Sequence, residues 1–206
     1  MRKIWLTGLA LAIIGLLIYS LSGTQPAPVL DEAYVTRLQA ARRQKDQALH
    51  TAADSPIPDA QRPTFAGLRY FAPAAGFKVT ARLVRQPVLL PQPLAMSLGQ
   101  PESYQRWGTA EFELNGQLQK LTLLQKAGDK QLFVPFTDPT NGQQTYAAGR
   151  YLDVALPPDE ATELELDFNQ AYNPYCAYNH EYSCPKPPAE NRLTVAVVAG
   201  EQLFQP

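Results

Sequence analysis

The C-terminal third of the chain gathers the residue types that could carry chemistry. Between residues 133 and 193 it concentrates Tyr, Asn, Pro and Gly around Cys176 and Cys184, the two cysteines of the chain. Tyrosine rings offer flat faces and asparagine amides offer directed hydrogen bonds, so this set suits recognition of a small polar ligand. The same residues could instead satisfy their own loop and cover the core.

Asp138, Tyr146 and Arg150 flank a Gly-Gln-Gln turn that would bring two strands side by side. An arginine fork binds a carboxylate or phosphate in two-point geometry, and a nearby aspartate could orient it. The alternative is a structural ion pair between Arg150 and Asp138 at a sheet end, with Gly149 allowing a bulge. Both interpretations stay open from the sequence.

We predict a ligand site where the 138–150 turn meets the 169–191 loop. Its candidate residues are polar or aromatic and come from both segments: Asp138, Tyr146, Arg150, Asp167, Asn169, Tyr172, Asn173, Tyr178 and Asn191. We expect no cofactor.

Catalysis has weaker support in the sequence. With only two histidines in the chain, a Ser-His-Asp arrangement has few options. A carboxylate pair, Asp138 with Asp167 or Asp153 with Asp167, could perform acid–base work, although their spacing does not show that they converge. A hydrolase-like enzyme would use Asp138 or Asp167, with Arg150 holding an anion. The chain has no phosphate-binding glycine loop of the Walker or Rossmann kind.

Length and composition predict a single folded domain. The chain has 206 residues, of which 45% are hydrophobic and 18% charged, with a net charge of −1. These values fit neither a disordered chain nor a nucleic-acid binder. Nineteen prolines indicate many turns and short elements.

An uncharged, mainly apolar run covers residues 4–21 and approaches the length that crosses a bilayer. We expect residues 1–22 to form a membrane anchor, so that the membrane is one partner. A signal peptide is the alternative, because Ser20 and Ser22 are small residues at a plausible cleavage spacing.

The charges beside this run predict an orientation. Arg2 and Lys3 precede it, whereas Asp31 and Glu32 are the first charges after it. The positive-inside rule then places the folded domain outside the cytoplasm, in the periplasm or extracellular space, and secreted if the run is cleaved. Residues 23–30 are predicted to be a linker.

Residues 31–206 are predicted to form one β-rich domain that begins with an amphipathic helix from Asp31 to His50. Asp31 can cap this helix. Its basic residues are expected on a solvated face or, alternatively, against lipid headgroups. The apolar stripe at helical spacing comprises Tyr34, Leu38, Ala41, Ala48 and Leu49.

Short alternating segments after Pro63 predict about seven or eight strands. Asn115-Gly116 indicates a tight hairpin, and the last strand is predicted over Leu193 to Val198. Regular spacing favours an antiparallel β-barrel or sandwich. We favour the barrel, because a meander of hairpins closes its own edges.

Ordered motifs over roughly residues 40 to 201 resemble the family called domain of unknown function 1684. They read FxGLxYF at 65–71, FVPFxDxT at 133–140, TYxxGRYL at 145–152, DFNxAYNPxCAY at 167–178, CPxPPxENRL at 184–193 and AGE at 199–201. The resemblance implies family membership and a domain boundary, but it does not imply any activity.

Cys176 and Cys184 are predicted to form a disulfide, the simplest arrangement for a lone nearby pair in an exported domain. Closing so short a loop would stabilise the fold by about 2–3 kcal/mol, mostly locally. With His180 the spacing is also one that zinc accepts. The resemblance does not extend to His180 and a fourth ligand is missing, so we expect no metal.

Together these features predict an exported, membrane-tethered β-domain that binds a small polar ligand or an envelope component without catalysis. The alternatives are the hydrolase-like enzyme and an envelope assembly or protein-interaction factor, whose partner would be an envelope protein. Nucleic acid is not an expected partner.

Overall fold

The computed structural model describes residues 29–205. The elements are helix α1 (Glu32–Thr51) and strands β1 (Lys78–Leu94), β2 (Glu102–Leu114), β3 (Gln117–Gln125), β4 (Gln131–Phe136), β5 (Arg150–Ala155) and β6 (Glu163–Asp167). Short 3-10 turns occupy Arg62–Thr64, Ala75–Phe77, Phe168–Gln170 and Tyr175–Ala177. The predicted membrane segment, residues 1–22, lies outside the described residues, as does most of the predicted linker. Within residues 29–205, no helix combines the length and apolar character needed to cross a bilayer.

Helix α1 begins directly after Asp31, the residue predicted to cap it. The Asp31 side chain accepts a hydrogen bond from the Ala33 backbone N–H, which satisfies one of the free donors of the first turn. Leu38 and Leu49 are buried against the β-domain, and Tyr34 is half-buried. The predicted apolar stripe is therefore confirmed at these three positions.

The predicted solvated basic face is wrong for two residues of α1. Arg42 and Lys45 are half-buried and contact the β-domain, whereas Ala41 and Ala48 of the predicted stripe are exposed. The reason is that the facing surface presents backbone carbonyls and the carboxylate of Glu201, which basic side chains satisfy and alanines cannot.

All six strands form one antiparallel sheet in the order β5-β4-β3-β2-β1-β6. The mainly β, antiparallel fold is thus confirmed. The sheet curls into a half-barrel whose edge strands β5 and β6 approach each other without pairing. The Asn115-Gly116 hairpin between β2 and β3 is also confirmed, since both residues have the positive φ angles that a tight hairpin turn requires.

The predicted final strand, Leu193 to Val198, is an irregular segment that bends at Thr194 and Val195 and belongs to no strand ladder. The side chains of Leu193, Val195, Val197 and Ala199 alternate into the core, while the residues between them are exposed. The predicted alternation of buried and exposed side chains is therefore present, but the predicted strand pairing is not. Much of this backbone is hydrogen-bonded by side chains and not by a neighbouring strand.

The main core lies between the concave face of the sheet and this C-terminal segment. Phe168 is fully buried there and contacts Phe112 and Phe136 with ring centroids 5.7 and 5.3 Å apart. Such tilted and edge-to-face aromatic pairs contribute beyond the area that they bury.

Candidate functional site

Arg150 and Asp138 form a fully buried ion pair, with 3.1 Å between Arg150 Nη2 and Asp138 Oδ2. The same guanidinium donates to the carbonyls of Val197 at 2.8 Å, Ala199 at 2.5 Å and Glu201 at 3.0 Å. Burial lowers the pKa of Arg150, and the neighbouring Asp138 opposes that change. This geometry supports the structural interpretation of the pair, because Arg150 ties the C-terminal segment to β5.

Asn191 and Asn173 also bind backbone groups. Asn191 is buried and donates from Nδ2 to the carbonyls of Thr122 and Pro135, while its Oδ1 accepts from the Thr122 N–H at 2.7 Å. Asn173 is buried as well and donates from Nδ2 to the Gln202 carbonyl at 2.8 Å. Asn191 thus ties its loop to β3 and β4, and Asn173 Nδ2 ties its loop to Gln202.

A cleft of about 180 Å³ opens between α1 and the segment that follows β6. One wall is the helix face that carries Leu38, Ala41, Arg42 and Lys45. The opposite wall combines predicted site residues with others from distant parts of the chain: Tyr70, Asn169, Gln170, Ala171, Tyr172 and Glu201. Of the nine predicted site residues, this cleft brings together Asn169 and Tyr172.

Arg42 crosses the cleft from α1 to the β-domain. Its Nη1 donates to the Phe71 carbonyl and its Nη2 donates to the Asn169 carbonyl, each at 3.1 Å. The guanidinium carbon lies 4.3 Å from the centroid of the Tyr70 ring, which is cation–π geometry. Burial lowers the pKa of Arg42. The side chain is therefore held in one orientation by two neutral acceptors and an aromatic face.

Glu201 is the acidic group of the cleft, and it is buried. Its carboxylate accepts from Lys45 Nζ at 2.5 Å, from the Tyr178 hydroxyl at 2.7 Å and from the Asn173 N–H at 2.8 Å. Burial, with the Glu201 charge as the next cause, raises the pKa of Tyr178. Lys45 Nζ also lies 5.0 Å from the centroid of the Tyr172 ring. Tyr178 thus holds the Glu201 carboxylate in place without lining the cleft itself.

Asp153 and Asp167 line a second cleft, of about 350 Å³, between β5 and β6. Asp167 accepts from the Tyr34 hydroxyl at 2.7 Å, and Asp153 accepts from the Tyr172 hydroxyl at 2.8 Å. Burial raises the pKa of Asp153. The carboxylates of Asp153 and Asp167 are thus brought to one cleft, whereas Asp138 is buried in its ion pair with Arg150.

Cys176 and Cys184 lie side by side as buried, free cysteines, so the predicted disulfide is not formed in this structure. The Cys176 N–H donates to Cys184 Sγ at 3.2 Å, and the Tyr146 hydroxyl donates to Cys176 Sγ at 3.6 Å. The hydrogen bond with Cys184 lowers the pKa of Cys176 to about 6. In residues 29–205, no group of three or more His, Cys, Asp or Glu side chains is arranged to hold a metal ion.

Sequence reasoning missed the helical half of the first cleft. Arg42 and Lys45 continue the spacing of Leu38 and Leu49 along one helix face, which was the available signal. Glu201 lies in the AGE motif but was not proposed as a site residue. Its role depends on contacts with Lys45 and Tyr178, which are distant in sequence.

Comparisons with known proteins show the family of the chain and a solved structure with a similar fold. Residues 63–202 match the sequence model of the family described as Protein of unknown function (DUF1684). Among solved structures, the chain is similar to the solution NMR structure of an uncharacterized protein of Haloarcula marismortui. The two are 38% identical, the match covers 83% of this chain and 95% of that one, and the TM-score is 0.67. No curated protein matches the chain.

Proposed function

This chain belongs to the family Protein of unknown function (DUF1684), and we propose that it binds a small polar ligand or envelope component, without catalysis, in the cleft beneath α1. The observation that carries the proposal is the convergence of Arg42, Lys45, Tyr172 and Glu201 on one concave site from three separate parts of the chain. A concave, largely apolar site with a few placed polar groups is the usual form of a small-molecule site.

The site residues favour binding over catalysis. Lys45 and Glu201 neutralise each other, and the Tyr178 hydroxyl and the Asn173 N–H occupy further acceptor positions of the Glu201 carboxylate. A general base needs free reach to the proton that it removes. Arg150, the anion holder of the hydrolase-like alternative, is fully buried, which reduces the support for that enzyme.

The proposal includes export and tethering. Residues 4–21 would anchor the chain in a membrane, and the domain that starts at α1 would lie in the periplasm or extracellular space. In that compartment the adjacent thiols of Cys176 and Cys184 would form a disulfide. Thiol labelling of the unfolded, unreduced protein tests this part, and recovery of two labelled cysteines would refute it.

Native mass spectrometry of the full chain, purified from membranes, tests ligand binding. We expect a mass excess that disappears on denaturation. Ala41→Trp should abolish the excess, because Ala41 lines the cleft and is otherwise exposed. Ala40→Trp is the matched control, since Ala40 is an exposed neighbour outside the cleft. If both variants keep the mass excess equally, the ligand binds elsewhere and this site is rejected.

An assembly or protein-interaction role is the second candidate, and one surface favours it. Val88, Leu89 and Leu90 of β1 are exposed and lie in the stretch 86–101, which carries no charge. Exposed apolar patches often mark protein contacts. Val88→Glu should then remove a partner that is recovered with the wild type, whereas Leu118→Glu, on an exposed apolar side chain of β3, should keep it. Recovery of the wild type alone would argue against this role.

A further inference from the structure

Arg42 differs from the other buried or half-buried cations of the described residues in having no carboxylate partner. Throughout residues 29–205, every other lysine or arginine that is buried or half-buried has a carboxylate oxygen within 4.0 Å. Lys45 and Lys78, which also lie at the helix contact, are paired with Glu201 at 2.5 Å and Glu165 at 3.1 Å. A half-buried charge without a carboxylate in direct contact is unfavourable, so Arg42 points to an anionic ligand.

The donors of Arg42 are only partly used. Nη1 and Nη2 each give a hydrogen bond to a carbonyl, of Phe71 and Asn169, which orients the guanidinium without neutralising it. A guanidinium has five N–H donors, so others are left over. Arg42 Nε and the hydroxyl of Tyr70 are buried and have no hydrogen-bond partner within the described part of the chain. The polar network at this end of the cleft is therefore incomplete.

The charges of the lining set the charge of the ligand. Arg42 and Lys45 contribute two positive charges and Glu201 one negative charge, which leaves one positive charge (2 − 1). A monoanion balances that charge. A phosphate dianion would exceed it and would be repelled by the buried Glu201 carboxylate. The group that fits is a single carboxylate.

Apart from Asn169 and Gln170, the remaining walls of the cleft are apolar, and the volume between them suits a small ligand. Leu38, Ala41 and Ala171 line them, together with the ring of Tyr172. At about 30 Å³ for each water-sized unit, a cleft of about 180 Å³ holds about six non-hydrogen atoms. A carboxylate with a short aliphatic tail has both the required charge and the required shape.

We infer that the cleft beneath α1 binds a short-chain monocarboxylate, with its carboxylate against Arg42 and its tail against Leu38, Ala41 and Ala171. This inference rests on the proposed function and names its ligand class. The structural basis is the fixed orientation of a guanidinium without a carboxylate partner, in a cleft that also presents the apolar side chains of Leu38, Ala41 and Ala171.

Butyrate and butyramide test the inference, because they have the same size and shape and differ in charge. Titration of each into the unmodified chain at constant ionic strength is followed by amide chemical shifts, which also locate the site. We expect saturable shifts at Ala41 and Ala171 with butyrate, and at least about tenfold weaker binding of butyramide, since charge-assisted hydrogen bonds are about twice as strong as neutral ones.

Variants then test whether Arg42 causes the preference for butyrate over butyramide. Arg42→Gln should remove the preference for butyrate, whereas Arg43→Gln, on an exposed neighbour in α1, should keep it. Equal binding of the two compounds by the unmodified chain, or no binding of butyrate, would overturn the carboxylate inference. Binding of butyramide alone at Ala41 and Ala171 would overturn it too, while leaving the polar-ligand proposal intact.

Discussion

Arg150 Nη2 and Asp138 Oδ2 lie 3.1 Å apart with both side chains wholly inside the protein. Each partner also binds Val197, Arg150 through the carbonyl at 2.8 Å and Asp138 through the backbone N–H at 3.0 Å. The ion pair thus binds the backbone of residues 197–201, which no neighbouring strand pairs with.

Replacing Arg150 by Ala should destabilise the protein by about 3–5 kcal/mol, because Asp138 would stay buried without its counter-charge. Urea unfolding measures this change. Arg192→Ala, on an exposed side chain just before the segment that begins at Leu193, is the control and should have little effect. A loss below about 1 kcal/mol for Arg150→Ala would contradict the structural role of the pair.

Gly149→Ala should be more destabilising than Gly128→Ala. Both glycines have positive φ angles, +100° and +90°, so an alanine is strained at either by roughly 1–2 kcal/mol. At Gly149 a Cβ would also lie 2.5 Å from the Phe136 carbonyl oxygen, whereas at Gly128 it meets nothing within 4 Å. Thermal unfolding of the two variants checks the difference. Equal melting temperatures would show that the loop around Gly149 shifts to accommodate the added Cβ.

In the reduced protein, the Cys176 thiol should ionise near pH 6, because its hydrogen bond with Cys184 lowers its pKa to about 6. A lowered folded-state pKa stabilises the fold above the pKa of the unfolded thiol, and this contribution is lost as the pH falls through about 6. The ultraviolet absorbance of the thiolate follows the titration.

Variants near Cys176 test the cause of this shift. Cys184→Ala should return the pKa of Cys176 towards its ordinary value, because the hydrogen-bond partner is gone. His180→Ala should leave the titration unchanged, since His180 is exposed. A midpoint near pH 6 in Cys184→Ala would show that another group lowers the pKa of Cys176.

Tyr34→Phe should loosen α1 without unfolding the sheet. The Tyr34 hydroxyl donates to Asp167 at 2.7 Å, and a hydrogen bond to a charged group contributes about 1.5–3 kcal/mol. Hydrogen exchange should accelerate along α1 and stay unchanged in β2 and β3. Tyr175→Phe, on an exposed tyrosine, is the control. Uniform acceleration through the sheet as well would mean that α1 and the β-domain unfold as one unit.

Local signals in the sequence predicted local structure well. The cap at Asp31 and the hairpin at Asn115-Gly116 each depend on a few consecutive residues, and both are present. The alternating pattern of the segment after Leu193 correctly predicted which side chains are buried. It could not predict pairing, because Arg150 and Asp138 bind the backbone there and this depends on residues about fifty positions away.

The candidate cleft was harder to predict, since its walls come from distant segments. Asn169 and Tyr172 were predicted from residue type, but the helical wall was not, because Arg42 and Lys45 were expected in solvent. Basic side chains at a helix contact are favourable only if the facing surface supplies acceptors. The Phe71 and Asn169 carbonyls supply them, and their position follows from the complete fold.

The position of residues 195–199 in the core also bears on where the chain can be shortened. Val195, Val197 and Ala199 fill one side of the interior, and Arg150 and Asp138 bind the backbone of the same segment. A truncation before Val195 would therefore expose the concave face of the sheet and leave the Arg150–Asp138 pair without its backbone partners. This segment is part of the folding unit and cannot be treated as a dispensable tail.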